Sequence, residues 1–592
     1  MSDFWLHPAL IMILGALVLP FVRGAGRRPF LLVVPLIAFA AVLQMQEGIH
    51  GIFYFMDWQL TFGRVDRLSL VFAYIMTLMC IIGTIYGLHV ENEYEHQAAW
   101  LYVAGALGVI FAGDFLVLFL FWELMAFSSV FLIWFRGQAR SLAIGYRYLL
   151  VHTAGGLALL AGFVLHYQAT GDLSFNQFDV ANPTFAIYLI MIGFILNAAV
   201  PPLHSWLPEA YSEATVSGAV FMSAFTTKTT VYALARGFAG MEILIPLGVF
   251  MAIYGVVYAM LENDARRLLA YHVISQVGYM VAGVGIGTQM AINGVCAHAF
   301  ANILNKGLLF MGVGSVLYMT GKAKFTELGG LYKKMPLALV FTLIGGLSIS
   351  GFPLLSGFVS KSMIVAAGFD AHLYWAAFLL TLASTGTFLC LGLKALYLIW
   401  FGKNNCSEET WNKATDPPLH MHLAMGLAAF FCILIGVYTP YLYQMLPYPV
   451  DFAPYTAYHL AKTIQVLLFT ALGFFLLIDQ LTPKPTISLD LDWFYRRGGQ
   501  LFLWLATKPI QAVDTAVNNA YRTWGLIPLM IVSRFWSWFD WHIIDGVVDG
   551  LARTVRWCGD WSRRLQAGQM QANIFSTVFV MTVLLILYVL AS

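Results

Sequence analysis

The chain has 592 residues, of which 60% are hydrophobic and only 10% are charged. Because soluble domains carry about 25% charged residues, this composition excludes an ordinary soluble protein and predicts a polytopic membrane protein. The formal net charge of +2 indicates no nucleic-acid partner.

Apolar windows of about 20 residues, the length that crosses a bilayer, recur along the whole chain. They lie at roughly 6–23, 29–47, 68–90, 98–112, 114–135, 146–167, 184–200, 215–238, 242–261, 267–287, 292–319, 337–352, 372–401, 421–446, 458–480 and 573–591. The first window ends in Arg23 with no small-residue cleavage site before it, so we interpret it as the first span rather than a signal peptide. The predicted fold class is all-α, a polytopic membrane protein with about 14–16 transmembrane helices.

The basic residues of the loops predict the orientation of the chain in the cell inner (cytoplasmic) membrane. With the N-terminus outside, the cytoplasmic loops hold Arg23, Arg27, Arg28, Arg136, Arg140, Arg147, Arg266, Arg267, Lys322, Lys324, Lys333, Lys334, Lys403 and Lys413. The outer side then holds Arg64 and Arg67, with Arg236 near a helix end. This asymmetry agrees with the excess of Lys and Arg on the cytoplasmic side of membrane proteins.

Two spans are interrupted by proline. One runs from Gly193 to Pro208 and contains Pro202-Leu-His-Ser205, and the other runs from Gly345 to Lys361 and contains Pro353-Leu-Leu-Ser356. Broken helices in a membrane persist only where protein or a watery cavity covers the freed backbone. The two breaks lie in equivalent places of two five-span segments, and an odd repeat length requires inverted topology. Such paired breaks point to a transport site.

These observations predict the organisation of the chain. We expect N-terminal transmembrane helices at 1–97, a first inverted repeat at 98–238 and a second at 239–402, with additional transmembrane helices at 403–480. An amphipathic, interfacial lateral extension and a final transmembrane helix follow at 481–592.

The extension is distinguished by its tryptophans, which favour the headgroup region of a bilayer. Eight lie between 481 and 570, namely Trp493, Trp504, Trp524, Trp536, Trp538, Trp541, Trp557 and Trp561. Interleaved arginines suit a helix that lies along the interface. The alternative is a soluble-side loop that packs on a partner protein.

Five ionisable residues within or beside apolar windows are the candidate site: Glu123, Lys228, His298, Lys306 and Lys361. A charge at the centre of a membrane span costs roughly 2.5–3.5 kcal/mol, and such groups mark proton relays. Asn197, His204, Asn302 and Lys394 are accessory candidates, and His152 is a polar neighbour. Each also has a structural interpretation as a buried hydrogen-bonded or paired group, which is favoured for His152 and His204.

Other chemistries find no support in the motifs. The six cysteines are scattered without a CxxC pair, and no HExxH, GxSxG or phosphate-binding loop occurs. The sequence therefore predicts a transporter subunit with no redox or hydrolytic site in this chain, no cofactor and no metal.

Several motifs together resemble the antiporter-like subunits of Mrp-type cation/proton antiporters, membrane-bound hydrogenases and respiratory complex I. They are Phe121-Trp-Glu-Leu-Met125, Pro202-Leu-His-Ser-Trp-Leu-Pro-Glu-Ala210, Asp264-Ala-Arg-Arg-Leu-Leu-Ala-Tyr271 with Ser275-Gln-Val-Gly-Tyr-Met280, His298 with Lys306-Gly-Leu-Leu-Phe310, Gly329-Gly-Leu331 with Met335-Pro336, and Gly351-Phe-Pro353 with Gly357-Phe-Val-Ser-Lys361. The resemblance covers about residues 60–402 and is strongest to the Mrp D-type subunit, here with an extended C-terminal tail.

The resemblance implies a proton path along a polar central axis. Glu123 resembles the family's acid on the fifth helix, Lys228 its eighth-helix lysine, Lys306 the central lysine, and Lys361 the lysine beyond the second break. His298 resembles a histidine two turns before the central lysine. The chain departs from the family pattern at Asn197, where a lysine is usual, and at Asn302, where a second histidine is frequent. Two alternatives follow: Lys228 substitutes as the partner of Glu123, or the first half-channel does not pump.

The resulting functional expectation is a proton-translocating subunit of a multisubunit cation/proton antiporter-like complex, with Na⁺ as the expected cation. Its expected partners are other membrane subunits of a hetero-oligomeric complex, the lipid bilayer, protons and Na⁺. Two alternatives stay open. One is a coupling subunit that gives proton-motive force to a soluble partner enzyme, as in CO2 uptake systems, and the other is a membrane scaffold that does not pump.

Overall fold

The computed structural model of the protein describes residues 5–482, 484, 489–565 and 568–592. The chain forms two compact units, Met1–Asp492 and Trp493–Ser592. The first unit holds the proline-interrupted spans and every candidate site residue, so it is described first.

The first unit is a bundle of helices that follow one another through short connections. They are α1 (Pro8–Val18), α2 (Arg27–Leu43), α3 (Arg67–Tyr86), α4 (Glu93–Phe111), α5 (Phe115–Trp134), α6 (Ala139–Thr170), α7 (Phe185–Asn197), α8 (Trp206–Glu213), α9 (Val216–Ala224), α10 (Thr226–Gly237), α11 (Leu244–Leu261), α12 (Ala265–Ile286), α13 (Gln289–Thr320), α14 (Pro336–Ile349), α15 (Ser356–Asp370), α16 (Tyr374–Thr387), α17 (Glu408–Lys413), α18 (Leu419–Val437), α19 (Pro440–Tyr443), α20 (Ala457–Leu476) and α21 (Ile478–Leu481). Two π-helical segments, Phe388–Ala395 and Tyr397–Phe401, continue α16.

Eleven helices of the described residues are long and apolar enough to cross a bilayer, and three shorter apolar helices accompany them. This confirms the predicted all-α polytopic fold class. The windows expected at 98–112 and 215–238 are not among the eleven: the first lies within α4, and the second is divided at Phe225 into α9 and α10. The apolar window of α12 and that of α13 are each 94% buried, so these two helices form the centre of the unit.

One antiparallel hairpin departs from the helical pattern and was not predicted. Its strands β1 (Gly48–Phe55) and β2 (Trp58–Val65) pair in the register Gly48 with Val65 and Phe55 with Trp58. The buried carboxylate of Asp114 holds the hairpin to the bundle, because its Oδ2 accepts the backbone N–H of Thr61 at 2.6 Å.

Two sets of backbone hydrogen bonds recur 150 residues apart. Asp114 before α5 forms a bridge with Ser174 after α6, and Asp264 before α12 forms the same bridge with Lys324 after α13. Both aspartates also cap the helix that follows them. α6 and α13 are each 32 residues long, and each ends at a glycine with a φ of 71°. We infer that α4–α10 and α11 to Phe401 are two copies of one five-helix unit.

The two interrupted spans end their first helices in the same way. After α7, the N–H of Ala199 bonds to Leu196 O and the N–H of Val200 to Ile195 O. After α14, Gly351 and Phe352 bond to the carbonyls three and five residues before them. Both are Schellman ends, which place one residue in the left-handed region. That residue is Gly351 in the second repeat, with φ 79°, but Ala199 in the first, with φ 59°.

The second unit is mostly helical. α22 (Asp492–Leu505), α23 (Gln511–Ala520), α24 (Ile527–Phe539) and α25 (Asp545–Leu565) are joined by the π-helical segments Ala506–Ile510, Tyr521–Leu526 and Asp540–Ile544. α26 (Met570–Ala591) is apolar and long enough to cross a membrane. All eight tryptophans of this stretch are exposed, which leaves a large aromatic surface. The interfacial position of the extension stays a prediction.

Candidate proton-transfer site

A row of polar side chains follows one face of the central helix α13. His298, Asn302 and Lys306 are four residues apart, so each stands one turn from the next. All three are completely buried. At the far end of the row, His298 Nδ1 lies 3.3 Å from Ser360 Oγ, the residue before Lys361 on α15. His298, Lys306 and Lys361 are thus all buried in the second repeat, and their joint role in a relay stays a prediction.

Each of the three predicted lysines donates to a backbone carbonyl. Lys228 Nζ donates to Ser223 O at 2.7 Å, Lys306 Nζ to Leu269 O at 3.2 Å, and Lys361 Nζ to Ile349 O at 2.9 Å. The last turn of a helix leaves its carbonyls without helical partners and carries partial negative charge. Lys228 and Lys361 use such carbonyls, at the end of α9 and at the end of α14.

These lysines lie apart from acids. No carboxylate among the described residues is within 4.0 Å of Lys228, Lys306 or Lys361. The carbonyl can hold the charged form, while the apolar surroundings tolerate the neutral one. A lysine in this setting is suited to gain and lose a proton.

Lys394, an accessory candidate, lies in the π-helical segment that continues α16. Its Nζ donates to Met260 O at 2.5 Å and to Glu262 O at 2.9 Å. It therefore caps the end of α11.

Glu123 on α5 is half-buried, and its Oε1 is buried without a hydrogen-bond partner in the part of the chain that the structure describes. The carboxylate lies against Gly156 of α6, where an added methyl group would come within 2.1 Å of Oε1. The expected ion pair with Lys228 is wrong for this conformation. The reason is the break at Phe225, which frees a carbonyl that Lys228 binds instead.

Three further polar residues have buried atoms without a protein partner in the described residues. Asn197 ends α7 beside Gly155, and both its side-chain atoms are unpaired. Asn302 is likewise unpaired. Both nitrogens of His152 are unpaired while its ring lies between Tyr148 and Trp206, with centroids 4.1 and 4.6 Å away.

The sequence analysis did not single out several members of the polar interior. Thr227, Thr229, His272, Ser275, Gln276 and Asn305 are buried and carry unpaired polar atoms. The signal that was available is their position inside apolar windows, with His272, Ser275 and Gln276 at helical spacing on α12. Asp490 was also missed as a site residue, and it contacts His204.

A cavity of about 390 Å³ reaches Lys361 from the surface. Ser350 and Ser362 line it together with Lys361, and so do His459 and Lys462 of α20. The cavity gives Lys361 a route to a polar environment on the side where α15 meets α20.

The central part of the chain matches a known family. Residues 112–387 match the family described as NADH:quinone oxidoreductase/Mrp antiporter, transmembrane. The chain is 30% identical over 384 residues to the D-type subunit of the Na(+)/H(+) antiporter of Alkalihalophilus pseudofirmus, covering 60% of this chain and 77% of that protein. This chain belongs to that family.

The chain is also similar to subunits of several other membrane complexes. Hydrogenase-4 component B of Escherichia coli is 28% identical over 64% of this chain and 62% of its own length. The structure of the Mrp complex from Dietzia sp. DQ12-45-1b aligns with a TM-score of 0.66 at 21% identity, over 78% of this chain and 98% of that one. The membrane-bound sulfane sulfur reductase, an archaeal respiratory membrane complex, aligns with a TM-score of 0.69 at 24% identity over 98% and 99%. The chain is thus a multi-pass membrane subunit of the antiporter type.

Proposed function

We propose that this subunit translocates protons in a multisubunit cation/proton antiporter-like complex of the cell inner membrane, with Na⁺ as the cation. The observation that carries the proposal is the buried row His298–Asn302–Lys306 on α13, which leads to Ser360 and Lys361. Buried polar groups without a protein partner are generally hydrogen-bonded by ordered water. A row of such groups with a lysine at each end is suited to carry protons.

In the second repeat we assign three steps. Lys306 receives a proton at Nζ. The proton then passes along α13 by way of Asn302 and His298. Lys361 releases it into the cavity lined by His459 and Lys462. The carbonyls of Leu269 and Ile349 hold each lysine while it is charged. Since these carbonyls are fixed by helices, little rearrangement accompanies each transfer.

In the first repeat we assign proton binding to Glu123 and Lys228 as separate groups rather than as one ion pair. Lys228 lies two residues after the beginning of α10, and α10 packs against α13, which carries Lys306. Glu123 is half-buried on the first unit, and its buried Oε1 has no protein partner among the described residues. Asn197 adds no charge of its own.

The second unit carries the surface that we assign to partner subunits and lipid. Its exposed tryptophans and α26, which buries none of its apolar window, need lipid or protein contacts. We therefore propose that the extension binds other membrane subunits and the bilayer interface. The orientation with the N-terminus outside rests on the basic residues of the loops.

The test is cation-driven pH change in vesicles that hold the purified complex. We expect the double variant Lys306→Ala with Glu123→Gln to lose transport, while Lys413→Ala, an exposed lysine in an ion pair with Glu409, retains it. Unchanged transport in the double variant would reject the relay. A wild-type complex that moves no protons would favour the scaffold, and a copurifying zinc protein would favour the coupling subunit.

A further inference from the structure

A second acid–base site lies outside the row on α13, at the first broken helix. Both carboxylate oxygens of Asp490 are 3.1 Å from Nε2 of His204, which stands between α7 and α8. The His204 side chain is completely buried and that of Asp490 is 8% exposed. Asp490 belongs to the first unit, just before α22.

The carboxylate is held on several sides. Tyr254 of α11 and Tyr271 of α12 each donate a hydroxyl to it, and Tyr258 donates to the neighbouring carbonyl of Leu489 at 3.0 Å. Burial raises the pKa of Asp490, but the hydrogen bond and charge of His204, with the two tyrosine hydroxyls, lower that pKa to about 2. A purely structural tether needs no buried acid, because burying a carboxylate is costly unless it is paired.

His204 has a second nitrogen that is still free. Its Nδ1 is buried and has no hydrogen-bond partner among residues 5–482, 484, 489–565 and 568–592. The ring therefore contacts Asp490 through one nitrogen and keeps the other buried and unpaired in the described structure. In the second repeat the corresponding position is Leu355, so the imidazole is particular to the first repeat.

The site also adjoins the proposed proton row. Tyr271 is two residues from Leu269, whose carbonyl binds Lys306 Nζ at 3.2 Å. His272 follows Tyr271, is completely buried, and has two unpaired nitrogens within the described chain. Tyr271 and Leu269 are about half a turn of α12 apart, so α12 contacts Asp490 through one residue and Lys306 through the other.

We propose that His204 and Asp490 form a proton-holding pair that loads the path at its first broken helix. This assignment rests on the proposed function, because it names the proton as the ligand and Asp490 as the positioning residue. Asp490 stabilises the charged imidazole, and the proton leaves through Nδ1 when the contact opens. Asp490 is in this way the counter-ion of His204. Both act in the first repeat, where Asn197 stands in place of the family's lysine.

Other charged groups face the pair and belong to the electrostatic setting. On α12, the Arg267 guanidinium lies 6.0 Å from the Tyr271 ring centroid and binds Glu262 at 3.3 Å. On α8, Glu209 is paired with Arg147 at 3.1 Å. These ion pairs leave the charge balance near Asp490 close to neutral.

The test is the pH profile of cation-driven proton movement, measured on the reconstituted complex from about pH 6 to pH 9. An opposite charge in contact favours the charged form of a group by about one pH unit or more. We therefore expect Asp490→Asn to shift the alkaline limb of the profile about one unit toward acid, and Asp490→Glu to restore it. The control is Asp479→Asn, an exposed acid on α21.

A profile of wild-type shape in Asp490→Asn, whatever its amplitude, overturns the proposal, since a purely structural contact alters only the amount of active complex. If the wild-type complex moves no protons, the proposed function has failed. The contact between His204 and Asp490 is then tested by the unfolding temperatures of the variants. Asp490→Asn and His204→Gln should then lower that temperature non-additively. Additive shifts would overturn the pair independently of transport.

Discussion

Gly156 and Lys306 occupy equivalent positions in the two repeats. Each lies 17 residues after the first residue of a 32-residue helix, α6 or α13. In the second repeat this position carries the central lysine. In the first it has no side chain, and the carboxylate of Glu123 lies against it. The ionisable group at this place in the first repeat thus comes from α5, whose residue Glu123 corresponds to Val273 of α12.

Gly156→Ala should impair transport while leaving the fold nearly intact. The new methyl group would lie 2.1 Å from Glu123 Oε1, so the flexible end of that side chain must move. Because a misplacement of about 1 Å can lower a rate on the order of a hundredfold, we expect at least a tenfold loss of cation-driven pH change. The control is Gly155→Ala, whose methyl group would meet Leu196 Cδ2 at 3.3 Å. Equal transport in the two variants would contradict the role of Glu123.

Lys361→Met should stop proton release through the second repeat. The substitution keeps most of the apolar stem but removes the ammonium that binds Ile349 O, and it leaves that carbonyl unpaired at a cost of about 1–3 kcal/mol. Transport in vesicles should fall at least tenfold, and the unfolding temperature should fall slightly. Lys413→Met, on the exposed helix α17, serves as the control. Full transport in Lys361→Met would show that protons leave elsewhere.

The sequence predicts the helical architecture and the row on α13 because both depend on local patterns. His298, Asn302 and Lys306 share a face through helical spacing alone. The partners of Lys228 and Asp490 could not be predicted, since they depend on where distant backbone lies. Lys228 binds Ser223 O only because α9 ends near Phe225, and nothing in the apolar window at 215–238 marks that break. Asp490 is separated from His204 by 286 residues.

Ala199→Gly should leave the protein more stable than its neighbour Ala198→Gly does. Ala199 has a φ of 59°, a conformation that costs an L-residue roughly 1–2 kcal/mol and that glycine adopts freely. Both alanines are completely buried, so either substitution removes a buried methyl group and adds the entropic cost of glycine. Only Ala199→Gly also relieves a left-handed backbone, because Ala198 is right-handed with a φ of −72°. The free energies of unfolding of the two variants should therefore differ by about 1–2 kcal/mol. Thermal unfolding of the purified complex measures both, and equal shifts would contradict the Schellman end.

Asp490→Asn should lower the unfolding temperature of the complex at neutral pH but not in strong acid. The pKa of Asp490 is lowered from 3.8 to about 2, so the carboxylate stabilises the folded state wherever it is ionised. That contribution is fully present above about pH 5 and is lost as the pH falls through 4 toward 2. Allowing for solvent screening, it amounts to about 1–2 kcal/mol. Unfolding temperatures of wild type and variant, measured from pH 6 to pH 3, should therefore converge as the pH falls. Asp479→Asn should have the unfolding temperature of the wild type at every pH. A difference in unfolding temperature between wild type and Asp490→Asn that stays constant down to pH 3 would mean that the contact with His204 does not stabilise the ionised acid.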